Sequence, residues 1–451
     1  MRSFINYTKR SLMGQWIYKL CLIILIWSLQ KANVELSFVV SVLITAVTFR
    51  KRLSSLAALF IVFLLSMVLV GSVTVFNPEN DYYFFTKDLI YFLRPVFLVL
   101  AGYFITMRLD NKREFLNILV LMGFYFALMH LFKIVVNYSI IPLDTNRMRT
   151  FFGRYNHVET IALVLIICVK ELPMKRSRFK FFYQIMVACL VLSFILYFSR
   201  TMIMVVFAMS LAYYGYFRLN QRGAVALSIL LVLGSAFALF LSTYQPESEA
   251  GQGMDFLGKI KNSFSESFTL GNVDITSKDR RELWKHWRAY EASVVYKEVA
   301  DNGQYLLGEG FGSTIDIGFE AKLDGEMTQH LSLTHNGFAY LYMKNGIMGL
   351  FIYFLMTLYL YSFAYSRKNK DPKVNIGNNI LVACTFYILI SSFVVTGIFK
   401  PYDMATLLIG GAFALKQTNY FEDRNTRNEG EKVKTGALKR IWRNKFHSLA
   451  R

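Results

Sequence analysis

Charge is scarce in this chain. Of its 451 residues only 18% are charged, against about a quarter in an ordinary soluble domain. Together with many apolar runs of about 20 residues, that scarcity excludes a soluble enzyme and a disordered protein. Cysteine is also sparse. The four residues, Cys21, Cys168, Cys189 and Cys384, each sit inside an apolar run. None lies in a polar stretch, which excludes a secreted disulfide scaffold and a CxxC metal site. No small-residue cleavage site follows the basic start and apolar run of Met1 to Leu29, so that segment reads as a retained first span. No tandem repeat and no matched pair of broken helices occurs in the two halves, which argues against a transporter.

What is present is hydrophobic: 55% of residues, with 16% aromatic and a mean hydropathy of +0.37. A bilayer core of about 30 Å takes roughly 20 apolar residues per helix. Twelve candidate spans fit: 15–30, 36–49, 53–76, 88–107, 115–137, 157–170, 181–198, 200–217, 223–243, 337–364, 377–397 and 401–416. The second, sixth and twelfth are short. The net charge of +20 follows the positive-inside rule rather than nucleic-acid binding. With the N-terminus inside, 30 of the 50 Lys and Arg fall on inside segments and seven on short outside loops. Those seven are Lys31, Lys87, Arg147, Arg149, Arg154, Arg200 and Lys400. The predicted fold is an all-α polytopic membrane protein of about 12 helices with both ends cytoplasmic.

One large, partly helical extracytoplasmic loop separates spans nine and ten. The organisation is spans one to nine over 1–243, the loop over 244–336, spans ten to twelve over 337–416, and a basic cytoplasmic tail over 417–451. From Ser242 to Thr334 the chain holds 9 Lys and Arg against 15 Asp and Glu. Lys278 to Ala300 has helical spacing, with Leu283, Trp287, Tyr290, Val294 and Val295 on one face and Thr276-Ser277 offering a cap. Gln245 to Gly271 is polar and rich in Gly and Ser. The tail mixes Leu438, Ile441, Trp442 and Phe446 with cations, which suits an interfacial helix on anionic lipid or a solvated basic tail.

Several residues can carry chemistry. His335-Asn336 closes the polar loop and enters a span; a His there suits a general acid or base, or merely an interfacial anchor. Gly346 and Gly349 permit a kink or close packing. Arg280 and Arg281 offer donor forks suited to phosphate, or a charged face paired with Asp279 and Glu282. Arg200, in the Ser199-Arg200-Thr201 turn, snorkels to headgroups or faces a cavity. Arg147, Arg149 and Arg154 precede Asn156-His157 at a span entrance. Arg94 lies within a span beside Pro95, facing the protein interior or a wet cavity, or held in a structural pairing such as one with Asp88. Lys133 and Lys344 lie near span ends, positions from which they can snorkel. Leu307-Gly308-Glu309-Gly310-Phe311-Gly312 is no P-loop, because no GK[ST] follows, and reads as a tight turn near the site. The outside loops carry no DxD, HExxH or GxSxG. A set of Arg with one or two His suits stabilising a leaving diphosphate without a metal while a base activates a hydroxyl.

The order of these pieces resembles the O-antigen ligase and polymerase superfamily of polytopic membrane glycosyltransferases. An Arg-bearing loop ends at Asn156, and Ser199-Arg200-Thr201 follows. A large outer loop carries Arg281-x-x-Trp284 and Gly308-x-Gly310-Phe311-Gly312. His335-Asn336-Gly337-Phe338 then leads into Gly346-Ile347-Met348-Gly349-Leu350. The match covers about Arg147 to Phe354. The resemblance implies an undecaprenyl-diphosphate-linked glycan as donor and transfer at the outer (periplasmic) face of the bacterial cytoplasmic membrane, with no metal, nucleotide sugar or other cofactor. It implies His335 as base, Arg200 and Arg281 on the diphosphate, and Arg149, Arg280, Asn336 and Arg94 as further binding candidates. A polymerase would extend lipid-linked repeat units, alone or with a chain-length regulator. A ligase would move the glycan to a lipid A-core sugar or a protein hydroxyl. A transporter of lipid-linked glycans is the rival class, and an envelope scaffold without chemistry the blander one.

Overall fold

The computed structural model describes residues 2–73, 81–137, 155–170, 172, 180–243, 287–323, 326–366 and 375–417. Its helices are α1 (Arg2–Lys31), α2 (Val34–Thr48), α3 (Ser55–Ser72), α4 (Tyr82–Arg108), α5 (Glu114–Asn137), α6 (Asn156–Cys168), α7 (Lys180–Leu196), α8 (Arg200–Tyr213) and α9 (Gln221–Thr243). Then follow α10 (Trp287–Asp301), strands β1 (Ile315–Leu323) and β2 (Glu326–Leu331), α11 (Gly337–Ser362), α12 (Ile376–Val394) and α13, over 405–417. Each of the twelve apolar segments falls on helix. Five helices, α3, α4, α5, α11 and α12, are long and apolar enough to cross a membrane by length and composition. α2, α6, α7 and α8 are shorter apolar helices. Thirteen residues of α6 rise only about 20 Å, less than a bilayer core. The protein is thus a predominantly helical membrane protein.

Side-chain oxygens start several of these helices. Asn33 accepts from the Leu36 N–H, Ser54 from Ala57 and Asp81 from Tyr83, each replacing a hydrogen bond that the first turn lacks. α4 runs through Pro95 as one helix.

Cross-links between helices define two ends. At one, Arg108 donates to the Phe49 carbonyl (2.7 Å), Arg50 to Met107 (2.9 Å) and Gln15 to Arg108 (3.1 Å). Lys19 pairs with Glu114 there at 2.5 Å. At the other, Gln30 donates to the Tyr402 carbonyl (3.5 Å), Lys31 to the Tyr155 hydroxyl and Thr396 to the Thr334 carbonyl (3.0 Å). α4 packs between α2 and α3. From α3 the contacts pass to α11, α12, α8, α6, α5 and back to α1.

The α4–α13 crossing depends on glycine. A Cβ on Gly102 would run into the Leu407 carbonyl, and one on Gly410 into the Val99 carbonyl. Backbones this close allow dispersion contacts that larger side chains forbid. Gly102→Val is therefore expected to cut the yield of monodisperse protein in detergent several-fold, measured by fluorescence-detected size exclusion. A normal profile would show that the crossing yields without cost.

The large loop is partly helical, as expected, and also holds two strands that the all-α class did not include. Beside α10 it contains an antiparallel hairpin, with Ile315 opposite Leu331 and Asp316 opposite His330. Ile315, Ile317 and Ala321 are buried, while Asp316, Gly318 and Glu320 between them are exposed. This is the period-two pattern of a half-buried strand. The helix in the loop begins at Trp287 among the described residues. Trp287, Tyr290, Val294 and Val295 are buried, as the spacing predicted. Leu283, the 276–277 cap, the stretch 245–271 and the tail beyond 417 lie outside the described residues.

Candidate functional site

Four hydrogen bonds pin the turn that enters α11. The Thr396 hydroxyl donates to the Thr334 carbonyl, and the Thr334 hydroxyl donates to the Asn336 carbonyl at 3.0 Å. The Asn336 side-chain oxygen accepts from the Phe338 and Ala339 N–H groups, at 2.9 and 3.1 Å. That oxygen is an N-cap of α11, so Asn336 acts on this site through the backbone.

His335 sits in the pinned turn. Its backbone N–H donates to Oε2 of Glu291 at 2.8 Å, and its Nδ1 lies 3.0 Å from Glu291 Oε1. Glu291 is fully buried, whereas the His335 side chain is 49% exposed. A carboxylate only accepts hydrogen bonds, so its partner Nδ1 carries the proton and Nε2 is left as the basic atom. The carboxylate also sets the ring's orientation and stabilises an imidazolium. Glu291 was not singled out from the sequence. Its signal was its place on the buried face of α10, where a carboxylate requires a partner.

α10 is held by its own contacts. The Tyr290 hydroxyl donates to the Ile317 carbonyl at 2.7 Å, and Trp287 and Tyr290 pack against Phe319. Arg288 lies three residues before Glu291, on the same side of the helix, and is half-buried.

The glycine-rich loop is indeed tight turns, and it keys into a break in α11. Gly346 has φ 60° and ψ −157°, a conformation that is essentially glycine's alone. There Ile347 and Met348 donate to the carbonyls of Tyr305 and Leu306, at 2.9 and 3.1 Å. Gly308 has φ 71°, and a Cβ on it would meet the Gly346 nitrogen and the Met343 carbonyl, each at 2.6 Å. The Glu309 N–H donates to that Met343 carbonyl at 2.7 Å, and Phe311 to Gly71 at 2.9 Å. Beneath the loop Lys344 pairs with Asp88 at 2.6 Å, both buried. Asp88 also accepts from the Gly312 N–H (2.9 Å) and the Tyr340 hydroxyl (3.1 Å), and Lys344 donates to the Ser313 carbonyl at 2.5 Å.

That pairing corrects two expectations. Lys344 does not snorkel; it is the buried partner of Asp88. Arg94 does not pair with Asp88; it faces the protein interior, one of the alternatives the sequence leaves open. It is fully buried and donates to the Pro401 carbonyl at 2.7 Å and to the Lys400 carbonyl. Its fork holds the turn between α12 and α13, so it shapes the site from behind and is withdrawn as a ligand-contacting residue. Lys133 donates to the Tyr155 hydroxyl at 3.3 Å.

Arg200 is the first residue of α8 and half-buried. It follows Phe198, whose φ of 46° is uncommon for an aromatic residue. Hydrogen bonds place this turn at the same end as His335. Tyr197 donates to Glu159 (3.0 Å), and His157 joins Tyr387 of α12 (2.7 Å). α12 ends at the segment whose Thr396 holds Thr334. Arg149, Arg280 and Arg281, with Arg147 and Arg154, lie outside the described residues. Among the described residues no group of three or more His, Cys, Asp or Glu is placed to hold a metal ion. The chain matches no family model and no curated protein.

Proposed function

We propose that this protein is a membrane glycosyltransferase that moves glycan from an undecaprenyl-diphosphate donor to a hydroxyl acceptor. The supporting observation is the dyad of buried Glu291 and half-exposed His335 where the polar loop enters a span. In this reading Nε2 of His335 takes the proton of the acceptor hydroxyl as the new glycosidic bond forms. The diphosphate leaves with its negative charge held by arginine forks, of which Arg200 is the described candidate and Arg149, Arg280 and Arg281 are the sequence candidates. Twelve spans, both termini in the cytoplasm and His335 facing the periplasm complete the reading. The charge asymmetry of the loops supports it.

Polymerisation of O-antigen or capsule repeats is the preferred activity; ligation to lipid A-core or protein is the alternative. The surface-glycan ladder of cells lacking the gene separates them. Core bearing a single repeat is the result expected of a lost polymerase. Bare core, with long polymer held on the carrier, is that of a lost ligase. An unchanged ladder removes both.

Arg200→Ala is expected to lower glycan output about tenfold or more, and Arg200→Lys to restore little of it, because an ammonium lacks the planar fork. Full recovery in the Lys variant, on a quantitative ladder at equal protein level, would show that charge alone suffices.

A further inference from the structure

Two lysines from distant helices converge on one tyrosine. Lys31, at the end of α1, and Lys133, near the end of α5, both donate to the hydroxyl oxygen of Tyr155. Their Nζ atoms also lie 4.6 and 5.3 Å from the centre of its ring. Tyr155 itself is buried and stacked on Phe126, with ring centroids 4.8 Å apart. The phenol is therefore a fixed post, and both ammonium groups donate to its oxygen. Lys31 is exposed and Lys133 half-buried, so the pair is open to a ligand.

Among the described residues no carboxylate pairs with either lysine. Two cations within a few ångströms of one another repel, and one neutral oxygen does not cancel that charge. Each ammonium has three donors and gives only one to Tyr155. The rest point to an acceptor of high negative charge, with several oxygens and a span that reaches both nitrogens. A phosphate or diphosphate has that form.

Position narrows the ligand further. Lys31 is one of the few basic residues on the side of the protein where short loops hold seven of 50. Gln30 beside it donates to Tyr402. Tyr402 belongs to the 396–403 turn, whose Thr396 holds Thr334 next to His335. The two lysines and the dyad thus border one turn at one end of the bundle. Lys133 and Tyr155 also flank the sequence that carries Arg147, Arg149 and Arg154.

We infer that Lys31, Lys133 and Tyr155 form an anion cradle that holds the diphosphate end of a polyprenyl-linked donor. This rests on the proposed transferase reading for the donor's identity. A phospholipid headgroup offers related chemistry, and the test separates the two sources.

The full-length protein would be reconstituted in nanodiscs of phosphatidylcholine and titrated with farnesyl diphosphate, followed by its thermal unfolding midpoint. Wild type is expected to gain stability saturably. Lys31→Met and Lys133→Met should each raise the dissociation constant about tenfold or more, as befits a lost charge-assisted hydrogen bond. Tyr155→Phe, which keeps the ring and removes the oxygen, should weaken binding less. Equal affinity in the Lys31→Met, Lys133→Met double variant would overturn the cradle. So would displacement of the probe by an equal concentration of phosphatidylglycerol. If the double variant fails to elute as folded protein, Lys31→Gln alone carries the test, because Lys31 is exposed. The readout needs no glycosyl transfer. Saturable, lysine-dependent binding beside an unchanged glycan ladder would remove the transferase reading and leave the cradle standing.

Discussion

Glu291→Gln is expected to leave a folded, inserted protein that makes about a hundredth of the glycan or less. The reasoning is in the two oxygens. In the native site Oε2 accepts the His335 backbone N–H, and Nδ1 lies 3.0 Å from Oε1 and 3.1 Å from Oε2. A glutamine that keeps its oxygen on the backbone N–H must turn its NH₂ toward Nδ1. Nδ1 then becomes an acceptor, the proton moves to Nε2, and the atom facing the acceptor hydroxyl no longer has a free lone pair. General-base assistance is worth about 10²–10⁴-fold, and His335→Ala should lose all of it. Glu291→Asp keeps a carboxylate but retracts it by one methylene, so partial recovery is expected. The measurement is glycan output in a deletion strain at matched protein level. Wild-type output from well-inserted His335→Ala would end the catalytic reading. Loss in His335→Ala with full activity in Glu291→Gln would mean that the imidazole works without its buried partner.

The second large effect concerns Asp88 and Lys344. Asp88→Asn or Lys344→Met alone leaves one buried charge without its counter-ion, at a cost of about 3–5 kcal/mol. The double variant removes both charges, while the asparagine oxygen can still accept from the Gly312 N–H. It is expected to recover most of the lost stability. Unfolding midpoints of the four proteins in one detergent complete the cycle. Singles as stable as wild type would show that water reaches the pair. The consequence extends beyond stability. Asp88 and Lys344 anchor residues 312 and 313, and the loop just before them interlocks with α11 at Gly308 and Gly346. Loosening that lock is expected to lower activity together with stability, whereas Glu291→Gln should lower activity alone.

The elements legible from sequence share one property: their signal is local and additive. Apolar runs placed helix at all twelve segments, because each residue's transfer free energy contributes to its own stretch whatever lies beside it. The buried face of α10 was legible from 3.6-residue spacing. A kink or close packing was expected of Gly346 and Gly349, and the break falls at Gly346, whose backbone form suits a residue without Cβ. His335 stood out as a titratable group at a span mouth. The hairpin was missed although Ile315, Ile317 and Ala321 alternate with polar residues and glycine. One short alternating strand buries too little to stand out before its partner at 326–331 is known.

Pairing was decided by tertiary structure alone. Glu291 and His335 are 44 residues apart in the chain, and Tyr155 draws together Lys31 and Lys133 from separate helices. From sequence Arg94 read as an intramembrane cation and Lys344 as one near a span end, yet both are fully buried. Packing gave one the carbonyls of a turn and the other the carboxylate of Asp88. A charge inside a membrane protein is stable only with a partner. Hydropathy records the need for that partner, but its identity depends on which helices lie side by side.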